Sequence, residues 1–396
     1  MEKNNRKILD LKEMGFKELF ISLLPIFAAY NIFGVSLSII ILILLTLVSV
    51  VKFHKKDLLF QKPLVLFILY YIIHEIILYF IAEVPININY RIEKIIYFLS
   101  MLIIIPTINF SKLKSSLNFI SIICILGLSF HVVTIVSGGV VHPIELPGLS
   151  LDKQFVQTLS TRPSSFFTEP AHYSQFMLAP ICISLIDKKY IWMGILTIAM
   201  FLTTSTTGIF IAFVMLSTYA LTQRTFKFRK SVGFIIVAIG LLYLLLSSSL
   251  FESGINKIEN TDVETNVRIQ QGPLIVSTMD LEEMVFGVKY GSPDDYCYKG
   301  KGSTAILRLQ DEHIYMSTIW FNILCFGFVG LFLYLWIFFK MVKVDREVLP
   351  YVVSLFVIMF TSAISLSIFF VFSVIVLYSI AYHYNKTIQH ESSSHR

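Results

Sequence analysis

The stretch LFISLLPIFAAYNIFGVSLSIIILILLTLVSVV, residues 19–51, contains no Asp, Glu, Lys or Arg and sets the reading of the whole chain. One bilayer-crossing helix needs about 20 apolar residues, so the run is too long for a single helix. Tyr30, Asn31 and Gly34 lie in its middle and predict a tight turn. The stretch therefore reads as two helices, 18–31 and 34–51, that double back on one another.

The remainder follows the same pattern. The chain has 396 residues, 56% hydrophobic and 15% charged. An ordinary soluble domain is about 45–50% apolar and roughly 25% charged. These proportions set aside soluble-enzyme, disordered and fibrous readings. Further apolar runs predict helices over 64–82, 95–110, 117–136 and 171–186. The run 191–221 is split at Thr203-Thr204-Ser205-Thr206-Thr207-Gly208, and more helices follow over 232–250 and 315–339. A pair over 350–382 folds back near Ser362–Ser367. The expected fold class is thus an all-α polytopic membrane protein with about twelve transmembrane helices. It forms a single integral membrane domain, residues 1–396, with two long extracytoplasmic loops, 137–170 and 251–313. Most of the 32 Lys and Arg residues fall in segments that this topology places inside, which puts both termini in the cytoplasm. The net charge of +6 accordingly reads as membrane orientation, not nucleic-acid binding. Cys124, Cys182, Cys297 and Cys325 are far apart, with no zinc or disulfide spacing.

Chemistry concentrates in Arg162-Pro163-Ser164-Ser165-Phe166-Phe167-Thr168-Glu169-Pro170-Ala171-His172-Tyr173. Pro170 suits a first helical turn with Thr168 or Glu169 as its cap. Free N–H groups there can hold an anion. Arg162 can bind a diphosphate, and Glu169 or His172 can hold a proton for transfer. The alternative is plainer: Thr168 and Glu169 only cap the helix, while Arg162 snorkels to lipid phosphate. Asp311-Glu312-His313-Ile314-Tyr315 opens a second helix, with His313 as a base or simply a boundary residue. Arg268 is a second candidate phosphate ligand, or a salt-bridge partner of Glu264. His74 and Glu75 lie mid-helix, where an ionisable residue needs a partner, and can pair with His131 as a proton relay or as plain interhelical glue. The Thr203–Thr207 cluster is expected to satisfy backbone groups where two short helices meet.

The Arg162–Tyr173 segment, the Thr-Ser-x-x-Gly break at 204–208 and Glu312-His313 ahead of Gly327-x-x-Gly330 together resemble the O-antigen polymerase (Wzy) family, which is related to the O-antigen ligases. The resemblance implies a multi-span glycosyltransferase of the bacterial inner membrane, active in lipopolysaccharide or capsule polysaccharide synthesis. Its donor is an undecaprenyl-diphosphate-linked oligosaccharide, and the growing glycan passes to the next lipid-linked unit at the outer face. Ligase and flippase are the alternatives. By the same resemblance Arg162 and Arg268 hold diphosphate, and Glu169, His172 or His313 activates the acceptor. Tyr173 and Tyr315 are weaker candidates for sugar contact. No cofactor or metal is implied; membrane lipid, a chain-length regulator and a flippase are the partners.

Overall fold

The computed structural model describes residues 14–53, 57–82, 88–149, 151, 162–222, 267–290, 293–303 and 316–394. The 19–51 run does double back. Helix α1, Phe16–Phe27, is followed by a two-stranded hairpin, β1 (Asn31–Ile32) and β2 (Val35–Ser36), and then α2, Leu37–Val50. Phe33 and Gly34 make the turn with positive φ, 52° and 80°, a conformation glycine adopts without steric cost. A short α3, Asp57–Phe60, leads into α4, Lys62–Ile81, which has Pro63 in its first turn. Next come α5, Ile88–Ile104, and α6, Phe110–Val136, the latter capped by the Asn109 side chain accepting from the Lys112 N–H.

The second half begins with α7, Pro170–Ile186, α8, Tyr190–Leu202, and α9, Thr206–Thr222. Three shorter helices, α10 (Val267–Val276), α11 (Leu281–Phe286) and α12 (Pro293–Lys299), stand where a loop is expected over 251–313. The chain ends with α13, Thr318–Val344, α14, Leu349–Thr361, and α15, Ile368–Ser394. The expected helix over 232–250 lies outside the described residues.

Two helices are buried on every side, as elements at the centre of a large core must be. Every residue from Tyr173 to Leu185 of α7 is buried, and so is every residue from Ile368 to Ala381 of α15. Helix α15 packs against α1, α5, α7 and α13. Helices α10 and α11 pack on α13, burying Ile275, Val276 and Val288.

This arrangement corrects the expected fold class. Among the described residues, three helices are long and apolar enough to cross a membrane: Lys62–Ile81, Phe110–Val136 and Thr318–Val344. The apolar stretches Leu37–Val50, Tyr190–Leu202, Thr206–Thr222 and Ile368–His383, the last being the apolar part of α15, are shorter. An architecture of about twelve spans, with the inside and outside faces derived from it, is not what the described residues form. The physical reason is that apolarity says a side chain leaves water without saying where it goes. Much of the apolar sequence assigned to lipid is packed against other helices.

Helix α13 is interrupted internally. Gly327 has φ 63°, and a Cβ there would lie 2.2 Å from the Val285 carbonyl oxygen. The residue is glycine because α11 passes directly over it. The break frees carbonyls that find donors: the Tyr70 hydroxyl donates to Phe326 O at 2.7 Å, and the Val288 N–H donates to Leu324 O at 2.9 Å.

Candidate functional site

The segment from Arg162 to Glu169 is held in place before α7 begins. His131, on α6, accepts from the backbone N–H groups of Ser164 and Ser165 through Nδ1, both at 3.3 Å. Ser165 has φ 58°; its hydroxyl donates to Cys124 O at 2.9 Å, and its carbonyl accepts from the Ile144 N–H at 2.9 Å. Gly127 makes room for it, since a Cβ on that residue would lie 2.5 Å from Ser165 Oγ. A buried strained turn persists only where its surroundings over-determine it, and here three separate contacts do so.

These contacts correct the expected pairing of His74 and Glu75 with His131. His131 holds the Ser164–Ser165 turn. His74 Nε2 instead meets Phe286 O at 2.8 Å, and Glu75 pairs with Arg91.

Downstream, Glu169 is the extended residue preceding α7, with an exposed side chain that makes no cap hydrogen bond. Thr168 Oγ1 and His172 Nδ1 share a hydrogen bond of 2.9 Å. The imidazole stacks on Phe369 of α15, with ring centroids 4.6 Å apart and planes at 22°. Burial lowers the His172 pKa from its ordinary value, Glu169 opposing the shift, so the ring is neutral at pH 7. Arg162 points to the α8–α9 junction, where it donates through Nη2 to Thr204 O at 3.2 Å. Burial also lowers the Arg162 pKa, against the attraction of Glu169. At that junction Thr203 Oγ1 donates to Met200 O at 2.7 Å and accepts from the Ser205 N–H at 3.3 Å.

Two cavities meet at His172. The larger, about 940 Å³, is a mainly apolar chamber among the end of α1, the β1–β2 hairpin, α2, α5 and the 363–369 turn. Its charged lining residues are Glu93 and Lys94 of α5. The smaller, about 240 Å³, is lined by Glu169, His172, Gln175, Thr207, Ser317 and Thr361 among others. His172, Ala363 and Ile364 line both and form a shared wall. The wall is shaped by α13: the Thr318 hydroxyl donates to Ser362 O at 2.7 Å and accepts from the Ile364 N–H at 2.8 Å. Asn322 Nδ2 donates to Ser365 Oγ at 2.9 Å. In the smaller cavity, Gln175 Oε1 and Ser317 Oγ are buried without a hydrogen-bond partner among the described residues. The two residues are only 6% and 5% exposed, so each unmet polar atom carries a desolvation cost.

Of the residues expected to act, the structure brings Glu169 and His172 to one pocket. Arg162 lies near Glu169 but lines neither cavity. Tyr173 is fully buried, its ring edge-on to Phe167 at 5.7 Å, and it too lines neither cavity. His313, Tyr315 and the Arg268 side chain lie outside the described residues. Sequence reading missed Lys94, Gln175 and Ser317. The expected fourth helix began at Ile95, one residue too late to place Lys94, although adjacent opposite charges at the head of an apolar helix are a usable signal. Gln175 and Ser317 become notable only through tertiary packing.

No protein-family model matches this chain, and neither does any curated protein. The resemblance to the O-antigen polymerases is therefore not upheld, since three candidate spans among the described residues also fail to give its multi-span architecture. The glycosyltransferase, ligase and flippase functions rested on that resemblance and that topology. They are withdrawn with it, as are the roles in lipopolysaccharide and capsule synthesis and the multi-pass inner-membrane location. Among the described residues, no group of three or more His, Cys, Asp or Glu is placed to hold a metal ion.

Proposed function

We propose that the protein binds an amphipathic molecule, with an apolar chain in the large chamber and a hydroxyl-bearing head in the small pocket. The observation that carries this reading is that His172, Ala363 and Ile364 line both an apolar cavity of about 940 Å³ and a polar one of about 240 Å³. Ligand sites are commonly apolar clefts of about 300–1,000 Å³ with a few placed polar groups. The head is a hydrogen-bond donor because the pocket offers acceptors. The amide oxygen of Gln175 accepts and never donates, and the Glu169 carboxylate does the same when ionised. A phosphate offers mainly acceptors and suits such a lining poorly. Moreover Arg162, the arginine expected to hold phosphate, rests on Thr204. The diphosphate-linked oligosaccharide expected from sequence carries such a phosphate between its chain and its sugar and is not the ligand proposed. The proposal concerns binding alone and assigns no transfer reaction.

The test compares decyl glucoside with decanol, both below micelle-forming concentrations, on protein held in an amphipathic polymer. Calorimetric titration should give at least about tenfold tighter binding of the glucoside, about 1.4 kcal/mol. Gln175→Leu should remove most of that difference, and Ala28→Phe, which fills the chamber, should weaken both ligands. Equal affinities of the wild-type protein for glucoside and alcohol would defeat the proposal.

A further inference from the structure

Thr168, Glu169 and His172 stand where the two cavities share a wall. Thr168 and His172 line the large chamber, and Glu169 and His172 line the small pocket. The Thr168 hydroxyl and His172 Nδ1 are 2.9 Å apart, within the reach that a nucleophile and its general base require. Stacking on Phe369 fixes the plane of the ring, and with the ring proton on Nε2 the hydroxyl donates to Nδ1. Burial holds the imidazole neutral, as a base must be, while the Glu169 carboxylate favours the imidazolium that forms when it takes a proton. Hydroxyl, base and carboxylate thus stand in the relation that nucleophilic catalysis uses. An ester bond at the shared wall would have its acyl chain on the Thr168 side and its alcohol on the Glu169 side.

We propose that Thr168 is a nucleophile that takes the acyl group from esters of long apolar acids with hydroxyl-bearing alcohols, His172 acting as its base. Thr168 Oγ1 attacks the ester carbon as its proton passes to His172 Nδ1; the new C–O bond forms and the carbonyl electron pair moves to oxygen. That pair then returns, the bond to the alcohol oxygen breaks, and the His172 proton goes to the departing oxygen. The alcohol leaves through the small pocket, and the acyl group remains on Thr168 with its chain in the chamber. Water reverses the sequence: His172 takes its proton as it attacks the acyl carbon, the bond to Thr168 breaks, and that proton returns to Oγ1. Ester and water have become acid and alcohol, with the protein unchanged. Glu169 acts through the imidazole and is a positioning residue; Thr168 and His172 meet the reacting atoms.

The inference rests on the proposed binding mode, chain in the chamber and head in the pocket. The probe is a β-lactone bearing a decyl chain, whose alcohol stays attached when the ring opens, so that the acyl adduct persists. Full-length protein in an amphipathic polymer is treated with it, digested and read by mass spectrometry. The expected result is the opened lactone on Thr168, formed at least about tenfold faster than with the unsubstituted β-lactone, which has no chain to bury. Thr168→Val should lose the label and Thr168→Ser should keep it. His172→Gln should slow labelling at least about a hundredfold. The wild-type rate should fall on acidification below about 6.5, as the base is protonated, and Glu169→Gln should move that fall to lower pH. Absence of the adduct from Thr168, or equal labelling rates in wild type and His172→Gln, would overturn the site. Decyl glucoside binding in the same wild-type preparation separates the two proposals. If it persists while Thr168 stays unlabelled, only the acyl transfer is wrong; if both fail, the cavities are not a ligand site.

Discussion

His131 shows how a residue's role depends on contacts that its neighbours in sequence do not disclose. Its imidazole accepts two backbone N–H groups from a turn more than thirty positions away, Ser164 and Ser165. His131→Ala should strand both donors in the interior and cost about 1–3 kcal/mol, read as a fall in thermal unfolding temperature. His172 contributes differently. Its pKa is lowered in the folded state, so the unfolded chain binds its proton more readily, and folding stability is lost as pH falls below about 6.5. Comparing unfolding temperatures at pH 7 and pH 5, His172→Gln should lose less stability on acidification than the wild type; an equal loss would remove His172 from the account. The segment holding Glu169 and His172 was legible because proline, hydroxyl and ionisable residues crowd together, although no side chain caps α7 there. What it faces was not, because Gln175 and Ser317 are ordinary residues until α7 and α13 bring them to one pocket.

Among elements, the breaks were more legible than the helices' surroundings. The turn near Tyr30–Gly34, the Thr203–Ser205 junction and the Ser362–Ser367 reversal all fall where small, polar or glycine residues interrupt apolar sequence. The break within α13 was not read: Gly327 entered only as half of Gly327-x-x-Gly330, and glycines in a long apolar run are common. It becomes a requirement only once α11 is seen crossing it. Gly327→Ala should force that crossing apart and destabilise the protein by about 2 kcal/mol or more, and limited proteolysis should then cut more readily within 281–290. Unchanged cleavage would mean that the close approach of α11 to Gly327 contributes little to holding α11.

At the scale of the molecule, hydropathy overcounted membrane spans because burial in protein and burial in lipid have the same composition. Helix α15 makes the point: it is as apolar as a span from Ile368 to Ala381, and its neighbours are other helices of the same chain. Helix α4 differs, for Ile73, Ile76 and Phe80 are 48%, 55% and 78% exposed. That apolar face belongs to one of the three helices able to cross a bilayer. Beside the start of α15 the fold forms a chamber and a polar pocket that share one wall, and the central claim is that one amphipathic molecule occupies both. The most direct measurement is calorimetric titration with decyl glucoside against decanol, in wild type and Gln175→Leu. The account predicts a preference for the glucoside of at least about tenfold that the substitution largely removes; equal binding of the two ligands by the wild type would contradict it.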